Sequence, residues 1–127
     1  MCNASEMGFL KAAALSPEVT VANPEKNGMS ALAAVREAAG SGAQVAVLPE
    51  LHLSGYTCAD LFGQDRLIRR CEEALEELLA KTAELSMVIA VGLPVRAFDT
   101  LYNCAAVIQS GKILGVVPKR YLPNYQE

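Results

Sequence analysis

The chain has 127 residues, 52% of them hydrophobic and 20% charged, and a formal net charge of -3 at pH 7. That length and balance describe one modest domain with a real core and exclude a disordered chain. With no basic run longer than Arg69-Arg70, and no apolar stretch near the roughly 18 residues of a membrane span, neither nucleic acid nor a membrane is an expected partner.

Residues 1–7, MCNASEM, lack periodicity and read as a poorly defined start, so the folded domain is placed at 8–127. They also lack the basic, apolar, small-residue order of a signal peptide, which makes the expected location cytoplasmic. The four cysteines, Cys2, Cys58, Cys71 and Cys104, form no CxxC pair and have no histidine at ligand spacing. No metal site is expected, and reduced thiols suit a cytosolic protein.

In chain order, 8–15 (GFLKAAAL) is short and apolar enough for a buried strand, although its alanines favour helix. Asn23 followed by Pro24 supplies a helix cap and a first-turn proline. Met29, Leu32, Val35 and Ala39 then recur at helical spacing, which predicts a first helix over 24–40. Gly40, Ser41 and Gly42 stop it, and 45–48 (VAVL) form an apolar strand closed by Pro49. A second helix is predicted over 64–85, with Leu67, Cys71, Leu75, Leu78 and Leu79 on the face that covers a sheet. Three apolar runs follow, 87–91, 101–109 and 112–117, the last two joined as a hairpin by Ser110-Gly111. The fold class is α/β, a βαβ order at first and antiparallel at the end, without an internal repeat or linker.

Two strand exits share one plan. VAVLPE and LGVVPK each carry a buried strand into a proline that ends the ladder and then into an ionisable group, Glu50 in one and Lys119 in the other. Residues just beyond the carboxyl ends of strands in an α/β sheet line the crevice where ligands bind, so these two exits are expected to face each other. A carboxylate there is a tunable proton acceptor, because burial raises its pKa and a neighbouring ammonium lowers it. The lysine is a fixed cation suited to stabilising charge that develops on a carbonyl oxygen during acyl transfer. The plain alternatives are charges on wet loops or a structural ion pair at a sheet edge.

VLPELHLSGYTCADLF, LYNCAAV and ILGVVPKRYLPNYQE, in that order, resemble the motifs of the nitrilase (carbon-nitrogen hydrolase) superfamily, and within it the N-terminal glutaminase domains of bacterial glutamine-dependent NAD synthetases. The resemblance covers 8–127. It implies a four-layer α-β-β-α sandwich of which this chain supplies the N-terminal half. It also implies a catalytic set of Glu, Lys and Cys, with Glu50 as general base and Lys119 as the oxyanion lysine. Tyr56 and Tyr125 match aromatics near the glutamine pocket, and Glu127 corresponds to a second glutamate that positions catalytic groups in several members.

The chemistry so implied is hydrolysis of glutamine to glutamate through a cysteinyl thioester, with release of ammonia. No cofactor is implied for the glutaminase part. The synthetase domain, absent from this sequence, would use ATP and magnesium to amidate nicotinic acid adenine dinucleotide. The implied partners are glutamine and that synthetase domain, and the exposed half-sheet of a partial fold favours pairing with further copies of the chain. The family's nucleophile follows another apolar strand several tens of residues beyond the lysine motif, so the chain is expected to be truncated before it and inactive alone. Of the cysteines present, Cys71 and Cys104 read as small core residues. Cys58 in GYTCAD lies near Glu50 but lacks an electropositive setting, and His52 reads as a residue of the loop or behind the site rather than a base.

Other readings of the same residues are a non-catalytic assembly module with this fold, a fragment of another amidase, and a small nucleotide-binding α/β domain. The last is disfavoured because GSG at 40–42 precedes a strand, where a phosphate loop would follow one and open a helix.

Overall fold

The computed structural model describes residues 8–56 and 64–120. Their elements are, in order, β1 (Ala12–Ala14), α1 (Pro24–Gly40), β2 (Val45–Val47), α2 (Asp65–Lys81), β3 (Val88–Ala97), β4 (Thr100–Gln109) and β5 (Lys112–Pro118). The strands form one sheet in the order β1-β2-β3-β4-β5; β1, β2 and β3 are parallel, and β3, β4 and β5 pair antiparallel.

The first helix forms as its sequence dictates. Asn23 accepts the Lys26 N–H at 3.2 Å, Pro24 occupies the first turn, and the helix closes in a Schellman turn. There Gly42, at φ +87°, donates to the Ala39 carbonyl and Ala43 donates to the Ala38 carbonyl, both at 3.0 Å. GSG therefore ends a helix and opens none, in keeping with its place before a strand. The buried stripe is the predicted one with a shift: Val35 is buried and Leu32 and Ala39 pack against the core, but Met29 is 69% exposed, and Asn27, Ala31 and Ala38 also face inward. The two helices meet at Gly28, where a β-carbon would lie in ordinary contact, 3.5 Å, with that of Ala74.

Other boundaries moved for local reasons. The 8–15 strand shrinks to β1 with one bonded residue on either side, through Lys11 and Leu15, while Phe9 and Leu10 lie exposed. The second helix stops at Lys81 with Thr82 as its cap, whose amide and hydroxyl both donate to the Leu78 carbonyl, at 3.0 and 2.8 Å. Leu85 then turns and accepts the Ser110 N–H at 3.1 Å, tying the helix exit to the β4–β5 turn.

The third strand runs on from 91 to Ala97, through a glycine and a proline that look like breakers. Asn103, the register partner of Pro94, uses its carbonyl on the β5 side for the Lys119 N–H at 2.8 Å. Their pairing is thus the non-hydrogen-bonded kind, and the donor that proline lacks would point to the β2 side, beyond the last β2 pair at Val47. A two-residue turn at Phe98 and Asp99, both at positive φ, leads into β4; Ser110 and Gly111 form a second one, as predicted.

Both helices lie on one face of the sheet. Val35 of α1 and Leu78 of α2 share one core with Ala46, Ile89, Val91 and Ile108 from the strands. The other face carries no helix among the described residues, so Val47 and Val117 are 48% and 59% exposed. This one-sided arrangement explains why β2, read as buried throughout, is buried only at Ala46.

Candidate active site

The segment after β2 leaves the ladder by stages. Leu48 still donates to the Ala90 carbonyl at 2.9 Å; Pro49 then has no donor to give, and the chain bends onto β3. Strand alternation puts Gly92 on the sheet face opposite Val91 and Leu93, and the Pro49-Glu50-Leu51 backbone rests against it. Leu51 takes a positive φ of 50°, and the bend is held when Leu53 donates to the Gly92 carbonyl at 3.1 Å and Gly55 to the Leu51 carbonyl at 2.8 Å.

A buried polar network fixes the far side of this loop. Asn27, 0% exposed in the first turn of α1, donates to the Thr20 carbonyl at 2.8 Å and the Leu53 carbonyl at 3.1 Å, and accepts the Thr20 N–H at 2.7 Å. His52, 1% exposed, places Nε2 3.0 Å from the Asn27 carbonyl. A carbonyl only accepts, so Nε2 carries the proton and Nδ1 is the bare nitrogen, with no hydrogen-bond partner among the described residues. Desolvation by burial pushes the His52 pKa down, against the smaller upward pull of its bond to Asn27. His52 therefore holds the loop from behind and is neutral there.

The two strand exits meet. Lys119 Nζ lies 2.7 Å from Glu50 Oε1, and Asn103 Nδ2 donates to the same oxygen at 2.6 Å. The Lys119 hydrogen bond is the main influence holding the Glu50 carboxyl below the usual glutamate range; desolvation opposes it, and the Asn103 bond and the lysine charge add to it. Of the two opposing effects named from the sequence, the ammonium wins, because the side chains of Glu50 and Lys119 remain 38% and 32% exposed. The pair borders a depression of about 340 Å³ floored by Gly92 and Ala105 and walled by Val47 and Val117.

Tyr56 follows on the same loop, 37% exposed. Tyr125, Glu127, Cys2 and Cys58 lie outside the described residues. Neither described cysteine suits a nucleophile. Cys71 is fully buried in α2, and Cys104 pairs with Leu93 on the helix side of the sheet, where burial pushes its thiol pKa up. Residue-type reasoning passed over Asn103, Asn27 and Gly92. Their signals were a polar residue inside an apolar strand, a polar residue at the core spacing of Ala31 and Val35, and a glycine after a β-branched run.

This chain, with its α/β sheet backed by helices, belongs to the carbon-nitrogen hydrolase family, which it matches over residues 11–127. Its described part is an α/β half of the nitrilase-like sandwich. It is 43% identical over 125 residues to the glutamine-dependent NAD(+) synthetase of Mycobacterium tuberculosis, covering 98% of this chain and 18% of that protein. The Aquifex aeolicus glutamine-dependent NAD(+) synthetase is 43% identical over 81 residues, 64% of this chain and 14% of that one. The chain thus spans less than a fifth of these relatives. A crystal structure of a glutamine-dependent NAD(+) synthetase from Cytophaga hutchinsonii superposes with a TM-score of 0.84 at 29% identity, over 91% of this chain and 20% of that one. An amidase from Nesterenkonia sp. shares the fold at 18% identity, with a TM-score of 0.72 over 90% of this chain and 44% of that one.

Proposed function

We propose that the chain carries the base and the oxyanion-stabilising cation of a glutamine-hydrolysing site, the part of a glutamine-dependent NAD synthetase that releases ammonia. The observation that carries this reading is the 2.7 Å contact between Glu50 and Lys119 at the exits of β2 and β5. Glu50 is ionised at neutral pH and so able to take a proton from a thiol. The thiolate attacks the side-chain amide carbon of glutamine, and Lys119 stabilises the negative charge on the former carbonyl oxygen. Glu50 returns the proton to the departing nitrogen, which leaves as ammonia. Water, deprotonated by the same carboxylate, then releases glutamate and restores the thiol.

The thiol is not Cys71 or Cys104, both buried. In this reading it comes from polypeptide beyond this chain, Tyr56 and Tyr125 border the glutamine pocket, and Glu127 orients the catalytic groups. The domain is 8–127, the location cytoplasmic and the protein homo-oligomeric. The glutaminase part works without a cofactor, and the ammonia serves a synthetase domain that uses ATP and magnesium to amidate nicotinic acid adenine dinucleotide. Among the described residues no group of three or more His, Cys, Asp or Glu side chains is placed to hold a metal ion, and no step above runs through one.

Incubating the 127-residue chain with glutamine and assaying ammonia should show no release above background. In the polypeptide as its gene encodes it, Glu50→Gln and Lys119→Met should each lower glutamine-dependent ammonia release by about 100-fold or more. Turnover that survives Glu50→Gln would sink the reading. A non-catalytic assembly module is the second reading, favoured by the uncovered sheet face around Val47 and Val117; a defined oligomer, and an encoded polypeptide that releases no ammonia, would support it.

A further inference from the structure

Asn103 touches both members of the pair. Its side-chain amide donates to Glu50 Oε1 at 2.6 Å, and its main-chain carbonyl accepts the Lys119 N–H at 2.8 Å. The Lys119 ammonium reaches that same Oε1 at 2.7 Å, and among the described residues no donor reaches Oε2.

The three side chains differ in how firmly they hold a position. Glu50 sits on a loop and Lys119 just past β5, both on long stems that lose much torsional freedom when fixed. Asn103 has a short side chain with a planar tip and rises from β4, which is paired on both sides. Directly opposite it in register stands Pro94, fully buried and with φ locked by its ring. Asn103 itself is only half-buried, so its amide does not need the carboxylate in order to be satisfied. Water would serve, and the bond is better explained by what it does to Glu50.

We propose that Asn103 is a positioning residue that selects the working oxygen of Glu50: together with Lys119 it occupies Oε1 and presents Oε2 to the group that gives up its proton. This rests on the reading of Glu50 as the base. An oxygen accepting two strong hydrogen bonds is the poorer proton acceptor, and a carboxylate pinned through one oxygen keeps its plane fixed as the proton is taken. The lysine alone, on a flexible stem, would leave that plane free to turn.

The test is the titration of the Glu50 carboxyl carbon by 13C NMR in the labelled chain, with circular dichroism to establish that each variant is folded. Asn103→Leu removes the donor at similar size, and the Glu50 pKa should rise by about one pH unit. Asn103→Asp keeps the shape and adds a like charge, so it should raise the pKa further, and it serves if the leucine variant does not fold. A Glu50 titration that stays in place in the folded variants would overturn the proposal. In the polypeptide as encoded, Asn103→Leu should lower kcat by about 10-fold or more with KM little changed, and move the acid limb of the pH profile upward with the NMR value. The two failures are separable, because ammonia release that survives Glu50→Gln removes the base assignment and leaves the NMR result for Asn103 standing.

Discussion

A β-carbon on Gly92 would lie 2.5 Å from the Leu51 backbone nitrogen, closer than real β-carbons come to anything. The Pro49 carbonyl would be 2.6 Å away and the Glu50 carbonyl carbon 3.0 Å. All three are backbone atoms of the segment that delivers Glu50, so none can swing aside. The absence of a side chain on one strand residue is what allows the neighbouring strand's exit to lie on the sheet.

Gly92→Ala should therefore cost about 1–3 kcal/mol of stability, the range for overpacking against atoms that cannot move freely. Urea denaturation measures the loss. The same variant should also return the Glu50 titration toward an ordinary glutamate, because displacing 49–51 draws the carboxylate away from Lys119; an unchanged titration would show that the contact at Gly92 does not position it.

Glu50 gives a pH dependence of fixed sign. Its folded-state pKa is lowered, chiefly by the Lys119 hydrogen bond, so its contribution to stability is present above the ordinary glutamate range and is lost as pH falls through the lowered value. With both side chains about a third exposed, that contribution is small, at most about 1 kcal/mol. Glu50→Gln should thus unfold slightly earlier than the parent at pH 7 and equally early at strongly acid pH, as read by thermal melts.

His52 acts at milder pH. Burial lowers its folded-state pKa below the ordinary value of about 6.5, so the unfolded chain takes up the proton first. Stability is full above that value and declines as pH falls from it toward the lowered one. Denaturant midpoints at pH 7.5 and 5.5 should differ for the parent chain and differ less for His52→Gln, which cannot be protonated.

Asn27 is the test of the loop's anchor. Its amide is fully used by the Thr20 and Leu53 backbone, and Asn27→Ala would strand those groups inside. A cost of at least about 2 kcal/mol is expected, seen as a lowered urea midpoint, and the variant should loosen the Glu50 loop as well. A midpoint within error of the parent would mean that water replaces the amide there.

What was legible in the residues follows physical locality. The Asn23-Pro24 cap, the Gly42 stop and the Ser110-Gly111 turn act within a few residues, and each did what its chemistry required. The pairing of the Glu50 and Lys119 exits was also readable, because proline after an apolar strand marks where a ladder ends on either side of a sheet. The third strand, read as 87–91, runs on past Gly92 and Pro94 for the converse reason. Their local preference is to break a strand, and only a neighbour distant in sequence makes them fit: the Pro49-Leu51 backbone over one and Asn103 opposite the other. Met29 misled in the same way, since hydrophobic spacing along one helix cannot report that this side chain borders an open groove between α1 and α2 and not the core.

The sequence by itself thus determined the α/β class, the helix caps and the two charged exits, all of which depend on groups near one another along the chain. Only the tertiary structure decided that Asn103 joins Glu50 and Lys119, that the ammonium outweighs burial in setting the Glu50 pKa, and that His52 stays neutral behind the loop. Those outcomes turn on distances of a hydrogen bond's length between residues far apart in the chain, and on how much water the folded sheet leaves at each of them.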